Sequence, residues 1–543
     1  MGDYLNTSQA LTLYGNEAKK PYFVDKTDML RILVPLVEQG SNHICITRPR
    51  RFGKSVMAAM IGAFFSRGMD SSGVFDSLKI AQKVKENESF NYHDYMNKYN
   101  VIYISFLNEA NESTSYEEFI TSVKEILQED LHEAYPDVRF RKKGTVVQDL
   151  NRIHEQTKER FILIFDEWDC IFHKAYTTDE DRRSFINWLA AMTKDKAYVA
   201  LSYMTGVLPI AKYSSGSTIN NFQEYTMATD DIFSEYFGFT ESEVDELFAK
   251  YEAITPKLNI TRTDLKLWYD GYHTPSSERM YNPRSVIEAL TRNCIRSYWT
   301  ATGTYGEIAT YIANDRADIK KDVALMVSGE AVPASVEEFA ATAMQLTTRN
   351  EILSAMVVYG FLNYEDKKVH IPNKELMEEF AKTIRERENL GYINRLAVES
   401  DRMLQATLTG DTKTMEEILA FAHGTETPLL DYNNETELTA IVNLVYLAAR
   451  DSYFVEREDK AGRGYVDFIF YPIRPGDDGL ILELKADATP EEAIRQIKDK
   501  GYMLKFKGKM ASKQYTGKIL LVGIGYSKKS KDHHCKVEKV QLP

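Results

Sequence analysis

The chain has few of the features that mark secreted, membrane or metal-cluster proteins. Its four cysteines, Cys45, Cys170, Cys294 and Cys535, lie far apart. This spacing argues against a disulfide framework or a zinc cluster and indicates reduced thiols in a cytoplasmic protein. No run approaches the roughly 18 consecutive apolar residues of a membrane span. The N-terminus lacks a charged segment followed by an apolar stretch, so we expect no secretory signal.

The composition is that of a globular protein with more than one domain. The chain has 543 residues, of which 43% are hydrophobic and 12% aromatic, enough for packed cores. Its net charge of −13 argues against indiscriminate nucleic-acid binding. From Lys498 onward, however, lysines dominate and alternate with aromatic residues. This basic end predicts a local surface for a polyanion, and a solvated tail is the alternative.

The segment Thr47–Ser55 reads TRPRRFGKS and lies between an apolar run and a helix-like run. A strand, a tight loop and Gly-Lys-Ser before a helix predict a phosphate-binding loop for a nucleoside triphosphate. We expect Arg51, Phe52 and Gly53 in the loop, Lys54 on the β- and γ-phosphates, and Ser55 on Mg²⁺.

One position departs from the usual loop pattern. Arg48 stands where the pattern has its first glycine, a residue that takes strained backbone conformations at low cost. The alternative interpretation is a basic surface turn between a strand and a helix.

A second segment, Phe161–Glu167, is a continuous apolar run that ends in two acids. Such a run predicts a buried parallel strand, and ligands bind at the carboxyl ends of such strands. We expect Asp166 to bind Mg²⁺ through water and Glu167 to orient or deprotonate the attacking water. After the next strand, Thr205 is the candidate sensor of the γ-phosphate. The alternatives are an acidic turn and ordinary strand capping.

The pattern along the chain predicts an α/β protein in four parts. Strands alternate with helices up to residue 235, which predicts a P-loop-type parallel sheet. Residues 236–345 read as a helical lid without strand alternation, opened by a capping box at Thr240. Residues 346–390 read as a helix plus a hairpin, a winged-helix-like unit for which we favour packing over DNA binding. Residues 391–543 form the last α/β domain.

This last domain carries a second cluster of chemistry. A strand ending near Tyr471, a turn, and the strand Leu480–Lys485 predict a hairpin. Residues two apart share a face, so Glu483 and Lys485 project together, and the hairpin brings Asp467 beside them. Two carboxylates can hold Mg²⁺ that activates water against a phosphodiester, with Lys485 neutralising charge.

Two further residues extend this cluster. Gln496 lies on the helix that follows, which Thr489 and Pro490 open, and Glu437 lies on an earlier helix as a further candidate metal ligand. The alternatives are a strand-edge carboxylate for Asp467 and an exposed ion pair for Glu483 and Lys485.

These residues resemble a known family over nearly the whole chain. Similarity to the bacterial AAA-ATPase-like proteins lies in PYFVDKT (21–27), RPRRFGKS (48–55), DEWD (166–169), GFT (238–240), YDGY (269–272) and YNP (281–283). Such proteins typically end in a PD-(D/E)XK nuclease-like domain. The core of that domain is resembled here by three segments: GRGYVD (462–467), ELK (483–485) and AIRQI (493–497). Arg48 is typical of the family, whereas Trp168 replaces its common tyrosine.

The resemblance implies ATP binding with Mg²⁺ and leaves the physiological substrate open. Our leading hypothesis is an ATPase coupled to a Mg²⁺-dependent nuclease that acts on nucleic acid, with DNA favoured over RNA. The first alternative is a nucleotide-gated switch whose C-terminal domain binds nucleic acid or a partner without cleavage. The second is an ATPase with a purely structural C-terminal fold. An oligomer is compatible with all three hypotheses.

Overall fold

The structure of the protein is a computed structural model. It describes residues 2–40, 42–82, 90–210, 221–227, 232–276, 278–299, 312, 317–336, 346, 348–423, 435–456, 468–511 and 514–541. The chain folds into two compact units. The first comprises Met1–Tyr298, Val336–Thr347 and Ser354–Asp366, and the second comprises Trp299–Ser335, Thr348–Leu353 and Lys367–Pro543. The four domain boundaries drawn from the sequence stay predictions.

The described helices, in chain order, are α1 (Gln9–Ala18), α2 (Met29–Gln39), α3 (Lys54–Phe65), α4 (Ser72–Phe75), α5 (Phe106–Glu112), α6 (Tyr116–Ala134), α7 (Val146–Thr157), α8 (Asp179–Thr193), α9 (Glu241–Ile254), α10 (Arg262–Tyr269), α11 (Pro283–Arg292), α12 (Ala317–Val327), α13 (Arg349–Val358), α14 (Lys374–Glu386), α15 (Tyr392–Val398), α16 (Ser400–Thr409), α17 (Thr412–His423), α18 (Glu435–Val445), α19 (Pro490–Asp499) and α20 (Tyr502–Met510). Within the described segments, every helix is too short or too polar to span a lipid bilayer.

The described strands are β1 (Asn42–Thr47), β2 (Asn100–Ser105), β3 (Phe161–Asp166), β4 (Val199–Gly206), β5 (Gln223–Thr226), β6 (Phe239–Thr240), β7 (Tyr272–His273), β8 (Arg279–Tyr281), β9 (Val332–Pro333), β10 (Asn363–Glu365), β11 (Lys368–His370), β12 (Tyr453–Glu456), β13 (Phe468–Pro472), β14 (Gly479–Ala486), β15 (Ile519–Tyr526) and β16 (His533–Val540).

The main sheet of the first unit is parallel, with the strand order β2-β3-β4-β1-β5. Strands β3 and β4 are buried along their whole length, as the continuous apolar runs predict. Helix α3 is buried from Met57 to Phe65 and packs in the core with β1 and β3. The register pairs Thr47 with Gly206 and Asp166 with Thr205. These residues therefore lie at the carboxyl ends of their strands, at the same end of the sheet.

The region that follows is mostly helical, as expected, and its first helix begins with the expected capping box. The Thr240 hydroxyl accepts from the Glu243 amide at 3.3 Å, and Glu243 accepts from the Thr240 amide at 3.0 Å. The helical interpretation did not include three short strands, β6, β8 and β7, which form an antiparallel sheet. These strands have two or three residues each, too few for an alternating pattern to show.

The main sheet of the second unit has the order β12-β13-β14-β15-β16. Its pairs are antiparallel except for β14 and β15, which are parallel and are joined through α19 and α20. The hairpin predicted from the sequence is confirmed, with Phe468 opposite Leu482. Ile481 packs with Ile494 and Ile497 of α19, so this face of β14 lies under the helix.

Two glycines of β15 let α19 lie close to the sheet. A Cβ on Gly523 would stand 2.2 Å from the Pro490 carbonyl oxygen, and one on Gly525 would stand 2.5 Å from that of Ala488. Gly523 pairs with Glu483 and Gly525 with Lys485. The glycines therefore set the height of α19 above the strand that carries the candidate site.

Candidate functional site

The loop between β1 and α3 has the backbone of an anion-binding turn. Gly53 is left-handed at φ 86° and Arg51 at φ 72°. A Cβ on Gly53 would meet nothing within 4 Å, so the conformation rather than space requires glycine here. Helix α3 begins at Lys54, and the first amides of a helix have no acceptor within it. The loop therefore leads into a helix N-terminus that can receive a phosphate.

The backbone and contacts of Arg48 explain why arginine can replace the first glycine of the usual pattern. Its φ is not positive, so the first glycine of the pattern is not needed at this position. The side chain is buried, and Nη1 donates to the carbonyl oxygens of Thr47 at 2.8 Å and Tyr225 at 2.9 Å. The guanidinium also lies over the Phe237 ring, 5.2 Å from its centroid. Arg48 thus joins the start of the loop to β5.

The side chain of Lys54, the first residue of α3, points back into the loop. Its Nζ donates to the carbonyl oxygens of Arg48 at 3.1 Å and Pro49 at 3.0 Å, and the residue is 7% exposed. Burial lowers the pKa of the amine, and the nearby charges of Asp169 and Glu167 oppose that shift. The amine is therefore desolvated, and an anion that reaches it is attracted strongly because little water screens its charge.

Asp166 and Ser55 fit a magnesium ion. Asp166 is 1% exposed at the end of β3, and burial raises its pKa to about 6 although a hydrogen bond with Ser55 and the charge of Lys54 lower it. Its Oδ1 is buried without a hydrogen-bond partner among the residues that the structure describes. A hydroxyl beside a carboxylate with a spare oxygen is the donor pair that Mg²⁺ uses in phosphate-loop proteins.

Glu167 has the properties of a general base. Its backbone is left-handed at φ 52°, a conformation uncommon for residues other than glycine. Burial and then the charge of Asp166 raise its pKa to about 7. A base whose pKa lies near the working pH transfers protons most efficiently.

The side chains of Arg51 and Phe52 are engaged away from the loop. The Arg51 guanidinium donates to the Tyr298 carbonyl oxygen. Phe52 is fully buried, and its ring meets the Tyr272 ring edge-on at 5.0 Å. A Cβ on Gly238 would lie 3.3 Å from the Phe52 ring. Any phosphate contact by Arg51 or Phe52 would therefore come from its main-chain amide.

Thr205 is buried in the sheet beside Asp166. Its hydroxyl donates to the Ile46 carbonyl oxygen at 2.9 Å. The role as γ-phosphate sensor stays a prediction, and it requires this hydroxyl to change its acceptor.

Asp169 lies near Lys54 and acts on its charge, although our sequence analysis assigned it no role. Its buried Oδ2 accepts from the amides of Val207 at 2.9 Å and Leu208 at 2.8 Å. Among the acids that oppose the shift of the Lys54 pKa, Asp169 has the largest effect. A Cβ on Gly206 would lie 2.6 Å from Asp169 Oδ1, so glycine is needed there for space. The sequence feature that could have pointed to Asp169 is that it is the third acid in the segment Asp166–Asp169.

The second unit brings together three of the residues expected there. Glu483 is 1% exposed, and Lys485 Nζ lies 2.8 Å from its Oε1. Gln496 on α19 donates through Nε2 to the same oxygen. Glu483 is thus a buried carboxylate, fixed by a cation and an amide on the helix-covered face of the sheet.

The other two acids expected there lie outside the described part of the chain. Asp467 is not among the described residues, which resume at Phe468 opposite the neighbour of Glu483. Glu437 lies in α18, but its side chain is not described. Glu483 supplies a carboxylate oxygen suited to a divalent cation, and Asp467 and Glu437 stay predicted ligands.

Family models match both units. Residues 17–215 match the predicted AAA-ATPase family, and residues 434–533 match the PD-(D/E)XK nuclease superfamily. These matches confirm the resemblance seen in the sequence. The chain carries an AAA-ATPase-like P-loop domain followed by a PD-(D/E)XK nuclease-like domain, and the expected α/β fold class is confirmed with it.

A curated relative is an uncharacterized protein in the vnfD 5' region of Azotobacter chroococcum mcd 1. It is 27% identical over 306 residues, which cover 54% of this chain and 53% of the relative. The chain therefore spans about half the length of that relative.

Solved structures similar to the chain include a Walker-type ATPase and two ORC proteins. A Walker-type ATPase of Pyrococcus abyssi has a TM-score of 0.37 and 12% identity, covering 66% of this chain and 95% of that one. The ORC2 protein of Aeropyrum pernix has a TM-score of 0.32 and 10% identity, covering 66% and 93%. The ORC1 protein of the same organism, solved with DNA, has a TM-score of 0.26 and 10% identity, covering 70% and 98%. These TM-scores are low, so the fold assignment rests on the strand order and the family models.

Proposed function

We propose that the protein is an ATP-binding ATPase whose second unit cleaves nucleic acid, preferably DNA, in a reaction that needs a divalent metal. One recurring arrangement supports this most. Each unit holds a lysine amine near a buried acid towards the carboxyl end of a sheet strand: Lys54 near Asp166, and Lys485 against Glu483. Both pairs suit the binding and polarisation of a phosphate group.

In the ATPase site, the loop amides and Lys54 would bind the β- and γ-phosphates of ATP. Ser55 and Asp166 would hold Mg²⁺, which when bound neutralises charge on the phosphates. Glu167 would accept the proton of the attacking water, since its pKa of about 7 leaves it partly ionised at neutral pH. Thr205 is proposed to contact the γ-phosphate.

In the nuclease-like site, Glu483 and Asp467, with Glu437 as a further acid, would hold Mg²⁺. The bound metal would supply an activated water and stabilise charge on the phosphodiester. Lys485 would transfer its hydrogen bond from Glu483 to a phosphate oxygen. Gln496 would keep the Glu483 carboxylate in place from the helix side.

The Lys485–Glu483 ion pair also fits a second candidate function. A carboxylate already neutralised by a cation attracts a metal less strongly. In that case the second unit would bind nucleic acid without cleaving it, as part of a nucleotide-gated switch.

A cleavage assay separates the two candidates. The full chain is incubated with supercoiled plasmid, Mg²⁺ and ATP, and nicked product is measured over time. We expect cleavage by the wild type and a loss of about 10²-fold or more in Glu483→Gln, which keeps the shape but removes the charge. Asp499→Asn, an exposed acid on the same helix as Gln496, is the matched control and should cleave normally. Wild-type rates in Glu483→Gln would contradict the nuclease proposal.

ATP binding is measured separately by calorimetry. Lys54→Ala should abolish the binding heat, because it removes the buried amine of the loop. Lys142→Ala, an exposed lysine of the same unit, should bind as the wild type does. Retained affinity in Lys54→Ala would refute the loop assignment.

A further inference from the structure

The turn between β15 and β16 is a basic segment at the edge of the nuclease-like site. It comprises Ser527–Asp532, and its three lysines, Lys528, Lys529 and Lys531, are exposed. The strand before it ends at Tyr526, which pairs with Ala486, the residue after Lys485. Glu483 pairs with Gly523, and the turn begins four residues later at Ser527, about 13 Å further along the sheet at roughly 3.3 Å per residue.

Hydrogen bonds order this turn internally. The Ser527 amide donates to the Asp532 carbonyl oxygen at 3.0 Å, and the Lys531 amide donates to that of Ser527 at 2.8 Å. The Ser530 amide donates to Ser527 Oγ at 3.3 Å. A loop with these bonds presents its lysines from a fixed backbone.

The turn is also bonded to the end of the strand that carries Glu483 and Lys485. The Lys528 amide donates to Asp487 Oδ1 at 2.9 Å, and the Asp487 amide donates to the Tyr526 carbonyl oxygen at 2.6 Å. Asp487 follows Lys485 by two residues. The distance between the basic turn and the Glu483–Lys485 pair is therefore set by the main chain and side chain of Asp487.

Two of the three lysines have their charge available for a ligand. Lys528 Nζ lies 3.8 Å from Asp487 Oδ2, a weak pair in which both side chains are about half exposed. Within the described segments, Lys529 and Lys531 have no salt bridge or side-chain hydrogen bond. On a chain with a net charge of −13, this local concentration of positive charge is suited to an anion.

We propose that the turn Ser527–Asp532 binds the sugar-phosphate backbone of a nucleic acid strand and positions it over Glu483 and Lys485. The inference rests on the proposed function, in which the second unit acts on nucleic acid, and adds the element that holds the substrate. Contacts of lysines with phosphates fix register and orientation without reading sequence. The turn should therefore contribute to affinity and its salt dependence, not to base preference.

The test is a binding measurement on the full chain. Fluorescence anisotropy of a labelled duplex is recorded in EDTA without ATP, at salt concentrations from about 50 to 200 mM. We expect Lys529→Gln/Lys531→Gln to bind at least about tenfold more weakly, with a salt slope shallower by roughly 1.8, since each phosphate contact contributes about 0.9. Lys142→Gln/Lys143→Gln, two exposed lysines of the first unit, changes the net charge equally and should bind as the wild type does.

Two outcomes would overturn the inference: equal affinity of wild type and turn variant, or equal weakening in both double variants. Circular dichroism of each variant reports whether it is folded. The plasmid-nicking assay separates this inference from the proposed function, because binding in EDTA is measured without cleavage. If the wild type never cuts but the turn variant loses binding, the basic turn stands and the nuclease proposal fails.

Discussion

The amine of Lys485 lies 2.8 Å from Oε1 of Glu483, two positions earlier on the same strand. Glu483 is 1% exposed at its side chain and Lys485 is 29% exposed. The acid is thus enclosed, whereas the lysine reaches solvent and can meet a substrate. Strand alternation creates the pair, and α19 adds the amide of Gln496 from above.

Removing the lysine should destabilise the fold, because Glu483 stays buried with one donor fewer. We expect Lys485→Met to lower the free energy of unfolding by about 1–3 kcal/mol at pH 8 in urea titrations. Glu483→Gln/Lys485→Met should regain most of this loss, because no buried charge remains. Lys500→Met, an exposed lysine after α19, is the control. A Lys485→Met variant as stable as the wild type would show that the pair contributes nothing to stability.

Glu167, the acid that follows β3, predicts a pH dependence of stability without nucleotide or metal. Burial raises the pKa of Glu167 from 4.5 to about 7, so the folded state binds more protons than the unfolded state between these values. Stability should therefore fall as pH rises through this window. Glu167→Gln should melt at a higher temperature than the wild type at pH 8 and should lose part of the pH dependence. Identical melting curves at pH 5 and pH 8 for both proteins would contradict the assignment.

Asp169 gives a prediction that separates its charge from its hydrogen bonds. Asp169→Asn can still accept from the amides of Val207 and Leu208, but it removes the acid that most supports the charge of Lys54. We expect it to fold normally and bind ATP several-fold more weakly. Asp169→Ala should also lose about 1–3 kcal/mol of stability, because two buried amides lose their acceptor. Calorimetry and thermal melting distinguish the variants, and full ATP affinity in Asp169→Asn would exclude the electrostatic role.

Gly523 predicts a loss of cleavage without any change to a polar group. A Cβ there would meet the Pro490 carbonyl oxygen at 2.2 Å, so Gly523→Ala should push α19 outward and separate Gln496 from Glu483. We expect at least about tenfold slower plasmid nicking. Gly508→Ala, on α20 with open space at its Cβ, should be neutral or stabilise the helix by about 0.5–1 kcal/mol. Equal nicking rates in both variants would show that the close approach of α19 does not matter.

The sequence predicted the features that depend on short-range patterns. The phosphate-loop strand and helix, the acid pair at the end of Phe161–Asp166, and the Glu483–Lys485 face all follow from local spacing. The capping box at Thr240 and the helix start at Thr489 and Pro490 are present as expected.

Long-range contacts could not be predicted in the same way. The hydrogen bond from Arg48 to Tyr225 joins residues 177 positions apart, so no local pattern shows why arginine replaces glycine. Asp169 acts through amides 38 and 39 positions away. The need for glycine at Gly523 depends on a helix that only the fold brings against β15. The short strands β6, β7 and β8 are held by their partners rather than by their own alternation.

The most direct test of the account is a crystal structure of the full chain with a non-hydrolysable ATP analogue and Mn²⁺, with metals located by anomalous scattering. The account predicts one Mn²⁺ on Ser55 and Asp166, with Lys54 Nζ on a phosphate, and a second on Glu483 and Asp467. Anomalous density at neither pair, or Lys54 still bonded to the carbonyls of Arg48 and Pro49 beside a bound analogue, would contradict it.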